Sequence, residues 1–182
     1  MIKQDTMRPL DLAVALGLTT SRGESRSTFS QLGVALGLSA STVHDSLQRL
    51  QAAGLVRDGT REPNRRALRD FVVHGARHAF PPSLGREMRG VPTAHAGPVL
   101  RKLFGDAQPL VWPDADGPSR GTAMAPLYPN AVHLPATDPE LYNVLTLVDA
   151  LRVGQARERN AARVGLNTAL GLAPSEPVDD EP

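Results

Sequence analysis

The chain has 182 residues, 20 Lys and Arg against 19 Asp and Glu, no cysteine, and only 4% aromatic residues. This excludes disulfides and thiolate metal sites, fits a reducing compartment, and leaves too few aromatics for a stacking platform on single-stranded nucleic acid. Apolar runs fall far short of the roughly 20 residues a bilayer requires, and the first residues lack the apolar core of a signal peptide, so no membrane partner and a cytoplasmic location are expected.

The charge is unevenly spread. Residues 1–80 hold 11 Lys and Arg against 7 acids, and the remainder holds 9 against 12. In chain order, Leu10 to Leu16 is apolar enough for a first helix, and Pro9 favours a start there. Thr19 to Ser27 has no apolar period and contains Gly23, so it reads as a surface loop carrying Arg22 and Arg26.

Thr28 to Val56 reads as two short helices joined by a tight turn. Thr28 and Gln31 form a capping box, and Leu32, Ala35 and Leu36 give the first helix one apolar face. Gly37 accepts the left-handed backbone that stops it. Leu38 plugs the corner, and Ser39 caps a second helix whose apolar positions, Val43, Leu47 and Leu50, recur at helical spacing up to Gly54. Gly33 falls where two steeply crossing helices touch, so a small residue is required.

This stretch resembles the helix-turn-helix of bacterial winged-helix transcriptional regulators, the broad group that includes the MarR, ArsR and IclR families. The match is carried by Leu36-Gly-Leu-Ser-Ala-Ser-Thr-Val43, Leu47, Arg49-Leu50 and Ala53-Gly-Leu-Val56. The resemblance implies a recognition helix over 40–53 whose first two turns face the major groove of double-stranded DNA. Ser41, Thr42, His44 and Gln48 would then read bases, Gln48 by bidentate pairing with adenine. Asp45 would repel phosphate unless it accepts a bond from a cytosine amino group or pairs with Arg49 one turn on.

After Val56 a β-hairpin wing is expected, but Arg57 to Pro63 is polar and turn-rich, so the wing is short or absent. Asn64 caps a further helix running to about Phe80. Its Arg65, Arg66, Arg69 and Arg77, with Arg57 and Arg61, make the densest basic cluster, and phosphate contacts are assigned to Arg49, Arg57, Arg61, Arg65 and Arg66.

Residues 81–136 are rich in Pro and Gly yet carry apolar anchors such as Leu110, Trp112, Met124 and Tyr128. They read as an ordered, loop-dominated segment with one short helix opening at Pro98, and as the place for a protein partner or a small effector. Thr137-Asp-Pro-Glu140 starts a helix capped by Thr137, whose stripe of Leu141, Val144, Leu145, Val148 and Leu151 suits a homodimer interface or core cover. A second helix follows to about Leu170, and residues 174–182 read as a disordered acidic tail.

His74 and His78 stand one helical turn apart, but no glutamate lies between them and their neighbours are arginines, so no metal is assigned. No serine elbow or phosphate-cradling glycine loop is present. No catalytic residue and no cofactor are expected, and the chain is read as a non-enzyme.

The sequence therefore describes a mainly α protein. Residues 1–63 form a winged-helix-like domain, 64–80 a connecting helix, 81–136 the loop segment and 137–173 the C-terminal helical pair. A sequence-specific regulator is the leading function. A non-catalytic protein-binding adaptor, or an antitoxin or defence-system component on the same fold, is the alternative.

Overall fold

The computed structural model describes residues 6–20, 28–105 and 107–173, and the fold is stated for these. The loop expected over Thr19–Ser27 falls largely outside them, as does the acidic tail. Thr19 and Thr20 themselves are buried rather than on the surface, their hydroxyls donating to the carbonyls of Leu16 and Gly17.

Helix α1 (Pro9–Gly17) is buried on every side from Asp11 to Gly17, so it is a core element rather than an amphipathic cover. It lies between helix α3 (Ala40–Ala52) and the long helix α8 (Pro139–Val153). Helix α2 (Phe29–Leu36) packs on α3. Val56 and Pro63 form one antiparallel bridge, Arg57 N–H donates to the Glu62 carbonyl at 2.9 Å, and Gly59 takes the left-handed turn position at φ 66°. This is a wing cut to its minimum.

Beyond it runs one continuous helical rod: α4 (Arg65–Asp70), a π-helical turn (Phe71–Gly75) and α5 (Ala76–Ala79). Asn64 caps it, its Oδ1 accepting from Ala67 N–H at 3.2 Å.

The central region departs from the loop reading. It contains a ten-residue strand β1 (Leu84–Thr93), the short helix α6 (Arg101–Phe104), and strands β2 (Leu110–Pro113) and β3 (Ser119–Met124). β1 is antiparallel to both partners, pairing with β3 along its first part and β2 along its last, while β2 and β3 run parallel, so the three strands close on themselves. Gly90 makes the closure feasible, because it faces both Pro113 and Ser119 and a Cβ there would lie 2.1 Å from the Trp112 carbonyl oxygen.

The chain returns through α7 (Leu134–Thr137) to α8, then α9 (Ala156–Ala169). Asp138, not Thr137, caps α8, its Oδ1 accepting from Leu141 N–H at 3.1 Å, while the Thr137 hydroxyl donates to the His133 carbonyl. α8 is the central axis, covered by α1, α5, α7, α9 and β1. Its apolar stripe is consequently filled by its own chain and is not an exposed dimer face.

Buried polar groups tie these layers together. Asp149 on α8 accepts from Thr93 Oγ1 at 2.8 Å, Trp112 Nε1 at 2.6 Å and Arg152 Nη1 at 2.7 Å, and Arg152 Nε donates to the Phe80 carbonyl at 2.8 Å. Burial pushes the Asp149 carboxyl up from its ordinary range, with Arg152 and the two neutral donors opposing the rise. One carboxylate thus fixes β1, β2 and the end of the rod on α8.

Candidate nucleic-acid interface

The turn between α2 and α3 is set by backbone chemistry. Gly37, at φ 67°, lets its N–H bond the Val34 carbonyl and Leu38 N–H the Gly33 carbonyl, the paired closure that ends a helix within one residue. A Cβ on Gly33 would lie 2.6 Å from the Leu38 carbonyl oxygen, so the turn folds back onto α2 only because position 33 carries none. Ser39 then starts α3, its Oγ accepting from Thr42 N–H at 3.1 Å and lying 2.9 Å from Ser41 Oγ and 2.8 Å from Thr42 Oγ1. The hydroxyls proposed to meet DNA thus cluster around the cap of the helix that carries them.

With Val43, Leu47 and Leu50 facing inward, Ser41, His44, Asp45 and Gln48 are exposed and Thr42 is half-buried. The structure therefore brings the base-reading candidates onto one open face. It adds a residue the sequence reading passed over. Phe29, the first residue of α2, meets the His44 ring edge-on at 5.5 Å, and the Arg61 guanidinium lies 5.8 Å over the Phe29 ring. Gln51 Nε2 donates to the Thr60 carbonyl at 2.7 Å. Through these contacts the short wing is held beside the recognition helix. An aromatic at the first position of a helix, continuing the stripe of Leu32 and Leu36 by one turn, was the available signal.

The arginine assignments divide. Arg49 is only 8% exposed and grips the wholly buried Asp11, with Nε to Oδ2 at 2.8 Å and Nη2 to Oδ1 at 2.7 Å. Ser46 Oγ donates to the same Asp11 Oδ1 at 2.7 Å, and Asp11 Oδ2 accepts from Arg8 N–H at 2.7 Å. Arg49 is therefore a structural clamp between α1 and α3, not a phosphate contact, and Asp45 cannot be neutralised by it. Asp45 instead lies 3.6 Å from His44 Nδ1. Arg65 is likewise turned inward, donating to the Leu170 and Thr19 carbonyls at 3.2 Å each. Arg57 is exposed and paired with Glu62 at 2.9 Å, a surface contact worth little and easily exchanged for phosphate. Arg66 is exposed at the edge of a groove shared with Arg69, Asp70 and Asn167. Of the five assigned arginines, Arg57, Arg61 and Arg66 keep access to solvent or to the wing.

Among the described residues no helix is long and apolar enough to cross a membrane, and no group of three or more His, Asp and Glu is arranged to hold a metal ion. Compared with known proteins, the chain finds no match among curated proteins and none among solved structures. Residues 22–57 match the family model described as winged helix-turn-helix DNA-binding. The α2–turn–α3 unit and the start of its wing are thus a winged helix-turn-helix of the DNA-binding kind, near the N-terminal end of this chain.

Proposed function

We propose that this protein is a sequence-specific DNA-binding transcriptional regulator that inserts α3 into the major groove. The observation that carries the reading is the open face formed by Ser41, His44 and Gln48, flanked by Arg61 of the wing through Phe29. In this reading Thr42 and Ser41 bond base edges or phosphate near the helix start, and His44 and Gln48 read bases deeper in the groove. Arg57, Arg61 and Arg66 neutralise phosphates and supply the sequence-independent part of the affinity. Regulation would follow from occlusion or recruitment at a promoter.

The test is a fluorescence-anisotropy titration of the full chain against DNA from its own upstream region and a scrambled duplex, at two salt concentrations. Tight binding that favours the native sequence and weakens with salt supports the reading. Absence of binding at low salt by folded protein refutes it. That result would favour the protein-binding adaptor, for which the exposed carboxylate of Asp45 in the middle of the recognition face is the supporting observation.

A further inference from the structure

At the end of the rod remote from the wing, a cleft of about 280 Å³ lies between the π-helical turn, α5 and the first half of α9. His74, Arg77 and His78 line one wall, Arg159, Asn160 and Arg163 the other, over an apolar floor of Val73 and Leu151; among the described residues none of the lining is acidic.

The local structure explains the convergence. His74 and His78 are four residues apart and Arg77 three from His74, so an α-helix would group them on one side. The π turn, closed by Ala76 N–H on the Phe71 carbonyl, inserts an extra residue into that helix where the cleft forms. Such turns are rare and frequently mark functional sites. Opposite, Arg159 and Arg163 repeat the four-residue spacing on α9. Arg159 Nη1 is anchored on the Gly154 carbonyl at 2.8 Å, and Arg163 is only 9% exposed, so both guanidiniums are positioned before any ligand arrives. The Arg77 and Arg159 guanidiniums bring two positive charges to one small cleft, and a tetrahedral oxyanion would bridge them through the forked geometry of arginine, with the imidazole N–H groups as further donors. The size fits a compact group, at the lower limit of the about 300–1,000 Å³ of pockets for larger ligands.

We propose that this cleft binds the phosphate group of a small phosphorylated molecule. A DNA backbone would offer the same chemistry, but the cleft's rod residues, Val73 to His78, begin eight residues beyond Arg65, or about 12 Å along a helix, and extend away from the wing. The proposal is independent of the DNA-binding reading.

The experiment is isothermal titration of the full chain with inorganic phosphate and with pyrophosphate, repeated on Arg77→Gln combined with His78→Gln. Both positions are exposed, so the variant should retain its fold, which circular dichroism checks. Saturable one-to-one binding, weakened about tenfold or more in the variant, is the expected result, whether or not the chain binds duplex DNA; where it does, that affinity is unchanged in the variant. No saturable binding of either anion, or equal binding by the variant, overturns the proposal. So does a variant that loses DNA affinity on every sequence with a shallower salt dependence, because the cleft would then be a backbone contact.

Discussion

Replacing Asp11 by alanine removes the carboxylate that receives Arg49 Nε at 2.8 Å, Arg49 Nη2 at 2.7 Å and Ser46 Oγ at 2.7 Å. Both members of the ion pair are buried, so removing one leaves a desolvated charge in the interior, which costs about 3–5 kcal/mol. The bond from Arg8 N–H that caps α1 is lost too, adding about 1 kcal/mol. Domain stabilities are about 5–15 kcal/mol, so the variant is brought near its folding threshold. With a urea slope of about 2 kcal/mol per molar, the midpoint should fall by about 2–3 M at an unchanged slope. Combining Asp11→Leu with Arg49→Met should restore most of the loss, because an apolar pair of similar volume replaces a buried ion pair at little cost. The opposite pattern would refute the assignment: Arg49→Met leaving the midpoint unchanged while weakening DNA binding on all sequences and lowering the salt slope by about one. Arg49 would then be a phosphate ligand after all.

Three other outcomes are expected. Gln48→Ala should change preference at a single base pair, by about 1–3 kcal/mol, whereas Arg61→Ala should weaken all sequences alike; competition titrations against a panel of single-base variants separate the two. Gly90→Ala should cost at least about 3 kcal/mol in chemical denaturation, because its methyl would sit 2.1 Å from the Trp112 carbonyl oxygen in the strand it pairs with; wild-type stability would disprove the closed sheet. The third concerns alkali. Burial pushes the Tyr142 phenol up from 10.0 to about 12, with Arg101 opposing, and burial raises Tyr128 as well, aided by Asp138. A raised native value means that the stability from Tyr142 is complete below pH 10.0 and is lost as pH rises through about 12, with the contribution of Tyr128 lost at still higher pH. Tyrosinate absorbance should therefore appear together with loss of helical circular dichroism, and tyrosinate forming near pH 10 in a folded chain would contradict the burial.

The recognition unit was legible because its signals are local. The capping box at Thr28 and Gln31, the left-handed Gly37 and the Ser39 cap all act within four residues, and the structure bears out each. Arg49 was misread because its partner is 38 residues away in sequence. Apolar periodicity cannot reveal that α1 covers a side of α3 where a serine and an arginine, rather than leucines, face inward. β1 was missed for a related reason. Gly85, Gly90 and Pro92 read as breakers in isolation, but Gly90 is what lets one strand pair on both edges, a demand made by partners more than 20 residues further on. The cap of α8 moved by one residue because Thr137 and Asp138 both suit an N-cap, and Asp138 holds the bond to Leu141.

These long-range contacts bear on whether the first 63 residues can stand alone. In the whole chain α1 is enclosed from Asp11 to Gly17, with Leu141 of α8 placed 3.5 Å from where a Cβ of Gly17 would lie. Asn130 Nδ2 donates to the Gly37 carbonyl at 2.6 Å, so the helix-turn-helix corner is braced from the central region, and Arg65 reaches back to the Thr19 carbonyl. A fragment ending at residue 63 loses all three supports and exposes the apolar side of α1 at a size where burial is marginal. It should show no cooperative thermal transition and bind its duplex far more weakly than the full chain. A fragment that melts cooperatively and matches the full chain in affinity would mean that α1 needs only α2 and α3, and that α8 is an attached layer rather than part of the DNA-binding core.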